Sequence, residues 1–167
     1  MKKFICVIAA IVMAMGILAS CGADAKIKTK DIDWEVVEGF DTENDRKIVK
    51  FKYTNNSKYT ISYLNIRMKL KPDVTKDDLE QFEYEDHFGD YELEDVCFYA
   101  ESDEIVHPGE TSQNGEFGRN NWFYYYVRDI KEYECATPDL MKIKYLDDNN
   151  TEHTLYYEFS SHKYFEE

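Results

Sequence analysis

Apolar and polar residues alternate along most of the chain after residue 30, with the period of two that is typical of half-buried β-strands. Residues 48–53 show this most clearly, because Val49, Phe51 and Tyr53 alternate with two lysines. Strands are predicted at residues 35–37, 48–53, 59–71, 95–101, 111–117, 122–132, 141–146 and 154–160. Turns separate them at intervals of about 8 to 12 residues, a spacing that is typical of a β-sandwich or barrel.

The predicted strand 59–71 changes phase partway along its length. Leu64 and Ile66 lie on one face, whereas Ile61 and Tyr63 occupy the opposite phase. A β-bulge near Tyr63, or a strand that changes sheets there, would reconcile the two sets.

One short helix is predicted inside this β-rich pattern. Thr75 can cap its N-terminus, with Asp78 three residues further on and acidic residues in the first turn, where the helix dipole favours them. The helix is expected to end by about His87, and Gly89 marks its exit.

The N-terminal segment differs from the rest of the chain. Lys2 and Lys3 precede an apolar run at residues 4–18 that contains no charge, which is the pattern of an export signal. A membrane-spanning helix is the alternative, but a span needs about 20 apolar residues. The residues from Ala19 to Gly22 interrupt the run earlier, which favours the export signal.

The run Leu18-Ala19-Ser20-Cys21 resembles the lipobox of bacterial lipoproteins, in which a bulky apolar residue and two small ones precede a cysteine. The resemblance implies that Cys21 receives a diacylglyceryl group and becomes the N-terminus after cleavage. Two acyl chains hold a protein persistently on a membrane. The implied organisation is a signal peptide at 1–20, a lipidated cysteine and tether at 21–31, and a domain at 32–167 on the extracytoplasmic face of the cell membrane.

A second resemblance concerns the fold of the domain. The run Lys50-Phe-Lys-Tyr-Thr-Asn-Asn-Ser-Lys-Tyr-Thr-Ile61, and later Val106-His-Pro-Gly-Glu-Thr-Ser112 followed by Phe117, are similar to the immunoglobulin-like domains appended to bacterial surface lipoproteins. The resemblance covers about residues 46–118 and implies an immunoglobulin-like antiparallel β-sandwich of seven to eight strands with one short helical insert. The insert at 75–90 and the acidic residues around it depart from the family pattern.

Charge is distributed unevenly along the chain. The net charge is −14, and residues 1–30 hold five lysines and one aspartate, so the domain is more acidic than the whole chain. Such a domain is repelled by nucleic acid, which is excluded as a partner. Residues 46–76 contain nine basic residues and one acid, whereas residues 77–118 contain fifteen acids and no Lys or Arg. Two interpretations follow that do not exclude each other: cross-strand ion pairs neutralise acids, and an acidic face meets a cation or a basic partner.

Two cysteines, Cys97 and Cys135, remain in the domain. In a non-reducing compartment they can form a disulfide. The alternative is two separate, buried thiols. Their spacing matches no redox motif.

The sequence predicts neither an enzyme nor a cofactor. It contains no nucleophile elbow, phosphate-binding loop or zinc-protease motif, and its four histidines have no metal-ligand spacing. Residues 41–45 and 147–150 place oxygen ligands on turns, as calcium requires. Neither segment completes a calcium-binding loop, and polar turns without an ion are the alternative.

The aromatic run at 122–126 is the remaining candidate site. In a strand, Trp122, Tyr124 and Tyr126 share one face, and Phe123 shares the other with Tyr125. One face is expected to join the core. The other would form an aromatic platform for a sugar, a peptide or a partner strand, unless both faces are covered.

These features together predict a membrane-anchored, non-catalytic binding or accessory module whose partner is a protein or a carbohydrate. An inhibitor or immunity-type protein that binds a basic partner through its acidic face is one alternative. A small secreted hydrolase is another, and it would require two facing carboxylates in a pocket.

Overall fold

The structure is a computed structural model that describes residues 25–82, 92–120 and 124–167, with backbone only at 124 and 125. Its strands are β1 (Ile32–Asp41), β2 (Arg46–Asn55), β3 (Thr60–Leu70), β4 (Cys97–Ser102), β5 (Gly115–Asn120), β6 (Tyr124–Tyr126), β7 (Ala136–Leu146), β8 (Glu152–Glu158) and β9 (Lys163–Glu166). Two short helices, α1 (Lys76–Glu80) and α2 (Ile130–Tyr133), and two 3-10 turns, Thr29–Asp31 and Leu93–Asp95, complete the described elements.

All nine strands join one antiparallel sheet in the order β1-β2-β5-β4-β3-β7-β8-β9, with β6 beside β5. The sheet is curved enough for the segment just before β1 to contact the opposite edge strand, because the N–H of Thr29 donates to the Tyr164 hydroxyl of β9 at 2.8 Å. The expected all-β, sandwich-like antiparallel fold is confirmed. The described residues hold nine strands and two short helices.

The inner face of the curved sheet carries the hydrophobic core. On β2, the inward side chains Val49, Phe51 and Tyr53 are buried, as their alternation predicts. The rings of Phe98 and Phe117 stack with centroids 5.8 Å apart on neighbouring strands. Among the described residues, no helix is both long and apolar enough to cross a membrane.

Antiparallel connections divide the turns between two ends of the domain. The near end holds residues 25–31 and the connections 56–59, 103–114 and 147–151. The far end holds the turn 42–45, helix α2 and the turn 159–162. β1 runs the length of the domain, and its ten residues span roughly 33 Å between the two ends.

Local sequence signals correctly place several of these features. The register of β3 against β7 shifts between Ile61 and Tyr63, so the bulge predicted near Tyr63 is confirmed. The Thr75 side chain caps α1, and its hydroxyl and the Asp78 carboxylate satisfy each other's backbone N–H groups. α1 ends at Glu80 with Gln81 as its C-cap, earlier than the predicted end near His87, and residues 83–91 lie outside the described residues.

The turn between β2 and β3 is organised by a buried amide. The Asn55 side chain is fully buried, and its nitrogen donates to the carbonyl oxygens of Tyr59 at 2.7 Å and Val106 at 2.8 Å. Its oxygen accepts from the N–H and the hydroxyl of Ser57 at 3.0 and 2.7 Å. One side chain therefore fixes both the turn and the loop that crosses it.

The predicted strand 122–132 is wrong in its second half, where the chain forms α2. The Asp129 carboxylate caps this helix by accepting from the N–H of Lys131 at 2.9 Å. Within α2, Glu132 is fully buried and its carboxylate lies 2.8 Å from Arg119 on β5. The single turn of α2 therefore places the Glu132 carboxylate next to Arg119.

Residues 25–31, expected to belong to the tether, pack onto the domain. Ile27 is fully buried in the core, and Lys26 pairs with Asp147 at 3.9 Å. Asn56 donates to the Asp31 carbonyl at 2.8 Å. The folded domain therefore begins by Ala25, which also contacts the core.

Candidate binding groove

A surface groove lies where β2 diverges from β5. The two strands pair over only two residues. Beyond that point, Val127, the residue directly after β6, lies in the gap between the two strands. Its carbonyl oxygen accepts from the N–H of Val49 on β2 at 2.8 Å, and its N–H donates to the carbonyl oxygen of Phe117 on β5 at 3.2 Å. Val127 therefore lies between the two strands, and a groove remains on the outer face.

A glycine permits the close approach of the strands at this fork. A Cβ on Gly115 would lie 2.4 Å from the Phe51 carbonyl oxygen and 3.1 Å from that of Glu101. The contact at 2.4 Å is sterically forbidden and the one at 3.1 Å is tight, so glycine lets β5 lie this close to the Phe51 backbone.

The groove has a volume of about 290 Å³ and opens to solvent. Its charged and polar lining includes Asp41, Asn44, Arg46, Lys50, Glu116 and Tyr126. The groove thus combines one aromatic ring with carboxylate, amide and cationic groups, and it extends from the middle of the sheet towards the far end.

The turn at the far end of the groove is rigidified by Asp41. One oxygen of its carboxylate accepts from the N–H groups of Glu43 and Asn44 at 3.1 and 3.2 Å. The other accepts from the Asn44 amide at 2.8 Å and from the Arg46 guanidinium at 3.1 Å. These hydrogen bonds, with the Asn44 side chain contributing most, lower the pKa of Asp41 below its ordinary value.

Arg46 and Glu116 hold Tyr126 from two sides. The guanidinium carbon of Arg46 lies 5.5 Å from the Tyr126 ring centroid, within the range of a cation–π interaction. The Tyr126 hydroxyl donates to Glu116 at 3.1 Å. Burial, followed by the Glu116 charge and hydrogen bond, raises the pKa of Tyr126, so the phenol stays protonated at neutral pH.

Lys50 adds a cation whose position depends on Gly39. A Cβ at Gly39 would lie 2.8 Å from Cγ of Lys50. The lysine stem therefore lies across the glycine on β1. Sequence reasoning missed this contact, since nothing in the local pattern links the two residues.

The predicted site residues are brought together only in part. Of the aromatic face Trp122, Tyr124 and Tyr126, Tyr126 lines the groove and Tyr124 lies on β6. Trp122 lies outside the described residues, as does the predicted lipid-attachment residue Cys21.

The predicted disulfide between Cys97 and Cys135 is not formed, and both thiols are free. Strand β3 separates them. Cys97 lies opposite Lys69 on one side of β3, and on the other side the backbone carbonyl of Cys135 accepts from the N–H of Lys71. Two strand spacings come to about 10 Å between Cα atoms, beyond the roughly 7 Å limit for a disulfide.

Both turns considered for calcium use their own aspartates internally. The Asp147 carboxylate accepts from the N–H groups of Asn149 at 2.9 Å and Thr151 at 3.0 Å, and its other oxygen lies 3.0 Å from Nε2 of His153. These interactions, the Thr151 N–H first, lower the pKa of Asp147 to about 2. No cluster of three metal-ligating side chains occurs within the part of the chain that the structure describes.

Acid titration tests the role of Asp147. Its pKa is below the ordinary 3.8 in the folded state, so its carboxylate stabilises the fold above about pH 4 and loses that contribution as pH falls towards 2. We expect Asp147→Asn to flatten the fall of Tm between pH 5 and 2, measured by circular dichroism. Asp148→Asn should retain the wild-type slope, and equal slopes for all three proteins would contradict the assignment.

Among the described residues, the acids between 92 and 118 form no ion pair with the basic stretch 46–76, although Glu116 lies opposite Lys50 in the register of β2 and β5. The described ion pairs of that stretch join Arg46 to Asp41, and Arg67 and Lys69 to Asp139. Glu101 instead accepts from the Tyr63 hydroxyl at 2.8 Å. Among the described residues, the expected cross-strand ion pairs to acids 92–118 are therefore not seen.

Fold and groove define the class of protein as a small antiparallel β-protein with a polar surface groove. A scan against protein-family models finds no matching family. Searches of curated proteins and of solved structures likewise find no match.

Proposed function

We propose that this chain is a lipid-anchored, extracytoplasmic, non-catalytic binding module, and that the groove beside Tyr126 holds its ligand. The lipobox at Leu18–Cys21 supports the anchor. The observation that carries the binding role is the fixed geometry of Arg46, Tyr126 and Glu116 across the groove. Side chains held in place before binding lose little conformational entropy when a ligand arrives.

The chemistry of the groove favours a polar ligand with a planar or ring-shaped group. Tyr126 supplies aromatic surface, while the carboxylate of Glu116 and the ammonium of Lys50 can exchange hydrogen bonds with hydroxyl or amide groups. A carbohydrate or a peptide segment has these groups. Asp41 remains ionised because its pKa is lowered, so it is not suited to act as a general acid.

Binding arrays test the groove. Purified domain is applied to immobilised glycans and peptides. The affinity of the strongest ligand is then measured for the wild-type protein and for Arg46→Ala. We expect at least about a fivefold loss of affinity, because Arg46 is a central aromatic-packed contact and such residues contribute more than about 1 kcal/mol. Arg67→Ala is the matched control, since Arg67 is an exposed arginine paired with Asp139 at 2.5 Å. Equal losses of affinity in both variants would exclude the groove as the ligand-binding site.

A second candidate function is an inhibitor or immunity-type protein that binds a basic partner. It is favoured by the acids between 92 and 118, which form no ion pair with a described Lys or Arg. A steep loss of partner affinity as salt rises would support it, because salt screens exposed charges.

A further inference from the structure

Strand β9 is an edge of the sheet whose backbone has an unpaired outer side. It pairs with β8, and Glu167 continues that pairing by donating its N–H to the Thr154 carbonyl at 3.3 Å. Hydrogen-bonded positions alternate along an antiparallel strand, so the backbone N–H and C=O groups of Tyr164 and Glu166 point away from β8. Thr29 contacts only the Tyr164 hydroxyl. Among the described residues, no backbone group bonds to β9 on its outer side.

The side chains on the outer face of β9 end an aromatic row at this edge. Phe165 stacks on Tyr156 of β8, with ring centroids 5.0 Å apart and an angle of 6° between the ring planes. The Lys142 ammonium of β7 lies 5.4 Å from the Tyr156 centroid. Phe165 is 48% exposed, because no described strand lies beyond β9. The row therefore leaves one face of Phe165 open to another ring.

The charges on β9 have an order that permits the strand to pair with itself. Lys163, Phe165 and Glu167 share the outer face, since side chains alternate along a strand, and both charged residues are exposed. In an antiparallel pair centred on Phe165, Lys163 of each copy lies opposite Glu167 of the other. Charged residues on an edge strand usually discourage pairing with another chain. Here the opposite charges favour it.

Backbone hydrogen bonding favours the same register. When Phe165 lies opposite Phe165 of a second copy, Tyr164 lies opposite Glu166, and these are the residues whose N–H and C=O groups point outward. Phe165 then occupies a non-hydrogen-bonded position, where opposite Cα atoms are about 4.5 Å apart and side chains lie closest. Backbone groups, aromatic rings and charges therefore agree on one alignment.

We propose that a second copy of this chain pairs with β9 through an antiparallel, two-fold symmetric contact centred on Phe165. Each copy carries a net charge of −14, but physiological salt limits the resulting repulsion to charges within about 8 Å of each other. A contact between two short strands is small, so the dimer is weak. The proposal depends neither on the lipid anchor nor on the groove, which lies towards the other end of the strand order.

Photochemical cross-linking of the full chain tests the contact. A benzophenone-bearing amino acid replaces Phe165 in the detergent-solubilised protein, and the covalent dimer is measured on denaturing gels. The matched control carries the same amino acid in place of Phe40, which is 49% exposed on the opposite edge strand, β1. We expect at least about fivefold more dimer from position 165, since directly opposite side chains in an antiparallel pair are in contact.

Charge exchange in the position-165 protein tests the register. Lys163→Glu places like charges at both outer pairs of the dimer, and Glu167→Lys does the same, so each variant alone should give at least about fivefold less dimer. An equal mixture of the two variants restores both opposite-charge pairs and should recover most of the yield. Lys131→Glu and Glu134→Lys are the matched controls, because they reverse exposed charges on and beside α2. Each should leave the yield unchanged.

Three outcomes would overturn the proposal. Equal amounts of dimer from positions 165 and 40 would reject the contact at β9. A mixture of Lys163→Glu and Glu167→Lys that gives as little dimer as either variant alone would reject the register centred on Phe165. Cross-linking in cells from position 165 to a different protein, without covalent dimer, would assign the edge to another partner.

Discussion

Replacing Glu132 by alanine is expected to lower the free energy of unfolding by about 3–5 kcal/mol, the usual cost of removing one partner from a buried ion pair. Arg119 and Glu132 are both fully buried, and their nitrogen and oxygen atoms lie 2.8 Å apart. Without the carboxylate, the guanidinium charge stays in the interior and loses this partner. Urea denaturation followed by fluorescence measures the change.

Two further variants identify the cause of that loss. Glu134→Ala removes an exposed carboxylate just after the same helix and should change stability by less than about 0.5 kcal/mol. Arg119→Met combined with Glu132→Leu should recover most of the loss, because apolar residues of similar volume can replace a buried ion pair. A loss below about 1 kcal/mol for Glu132→Ala would contradict the importance of the pair.

Asn55→Ala is expected to cost about 4 kcal/mol, since the buried amide makes four hydrogen bonds worth roughly 1 kcal/mol each. The loss should appear as a lower urea midpoint with an unchanged slope. Asn56→Ala is the matched control, because the exposed Asn56 side chain makes one hydrogen bond, to Asp33. A midpoint for Asn55→Ala that equals that of Asn56→Ala would contradict this account of the turn.

The parts of the fold that sequence predicted correctly depend on local signals. The phase change between Ile61 and Leu64 is visible within one strand, and it located the bulge. Thr75 and Asp78 have the spacing of a capping box, and the pair forms one. In each case the interacting residues are close in sequence, so periodicity and spacing carry the information.

The parts that sequence missed depend on contacts between distant residues. The alternating aromatic run before α2 predicts that the strand continues through the residues of α2. The burial of Glu132 in that helix instead depends on Arg119, 13 positions earlier. Residues 25–31 looked like a linker, because a single apolar residue, Ile27, has no periodicity to reveal its burial.

The candidate groove was predictable only through its aromatic residue. Tyr126 belongs to the run that marked an aromatic face, but the groove exists because Val127 enters the gap between β2 and β5. Arg46 reaches the ring from a strand 80 positions away in sequence. Hydrophobic periodicity carries no information on such a tertiary arrangement.

We propose that Cys21 anchors this binding module to a membrane. Palmitate labelling of the full chain and a Cys21→Ala variant in a bacterial host, followed by membrane fractionation, tests it most directly. We expect labelled, membrane-bound wild-type protein, and a variant that takes up no label. Equal labelling and equal fractionation of the two proteins would contradict the anchor.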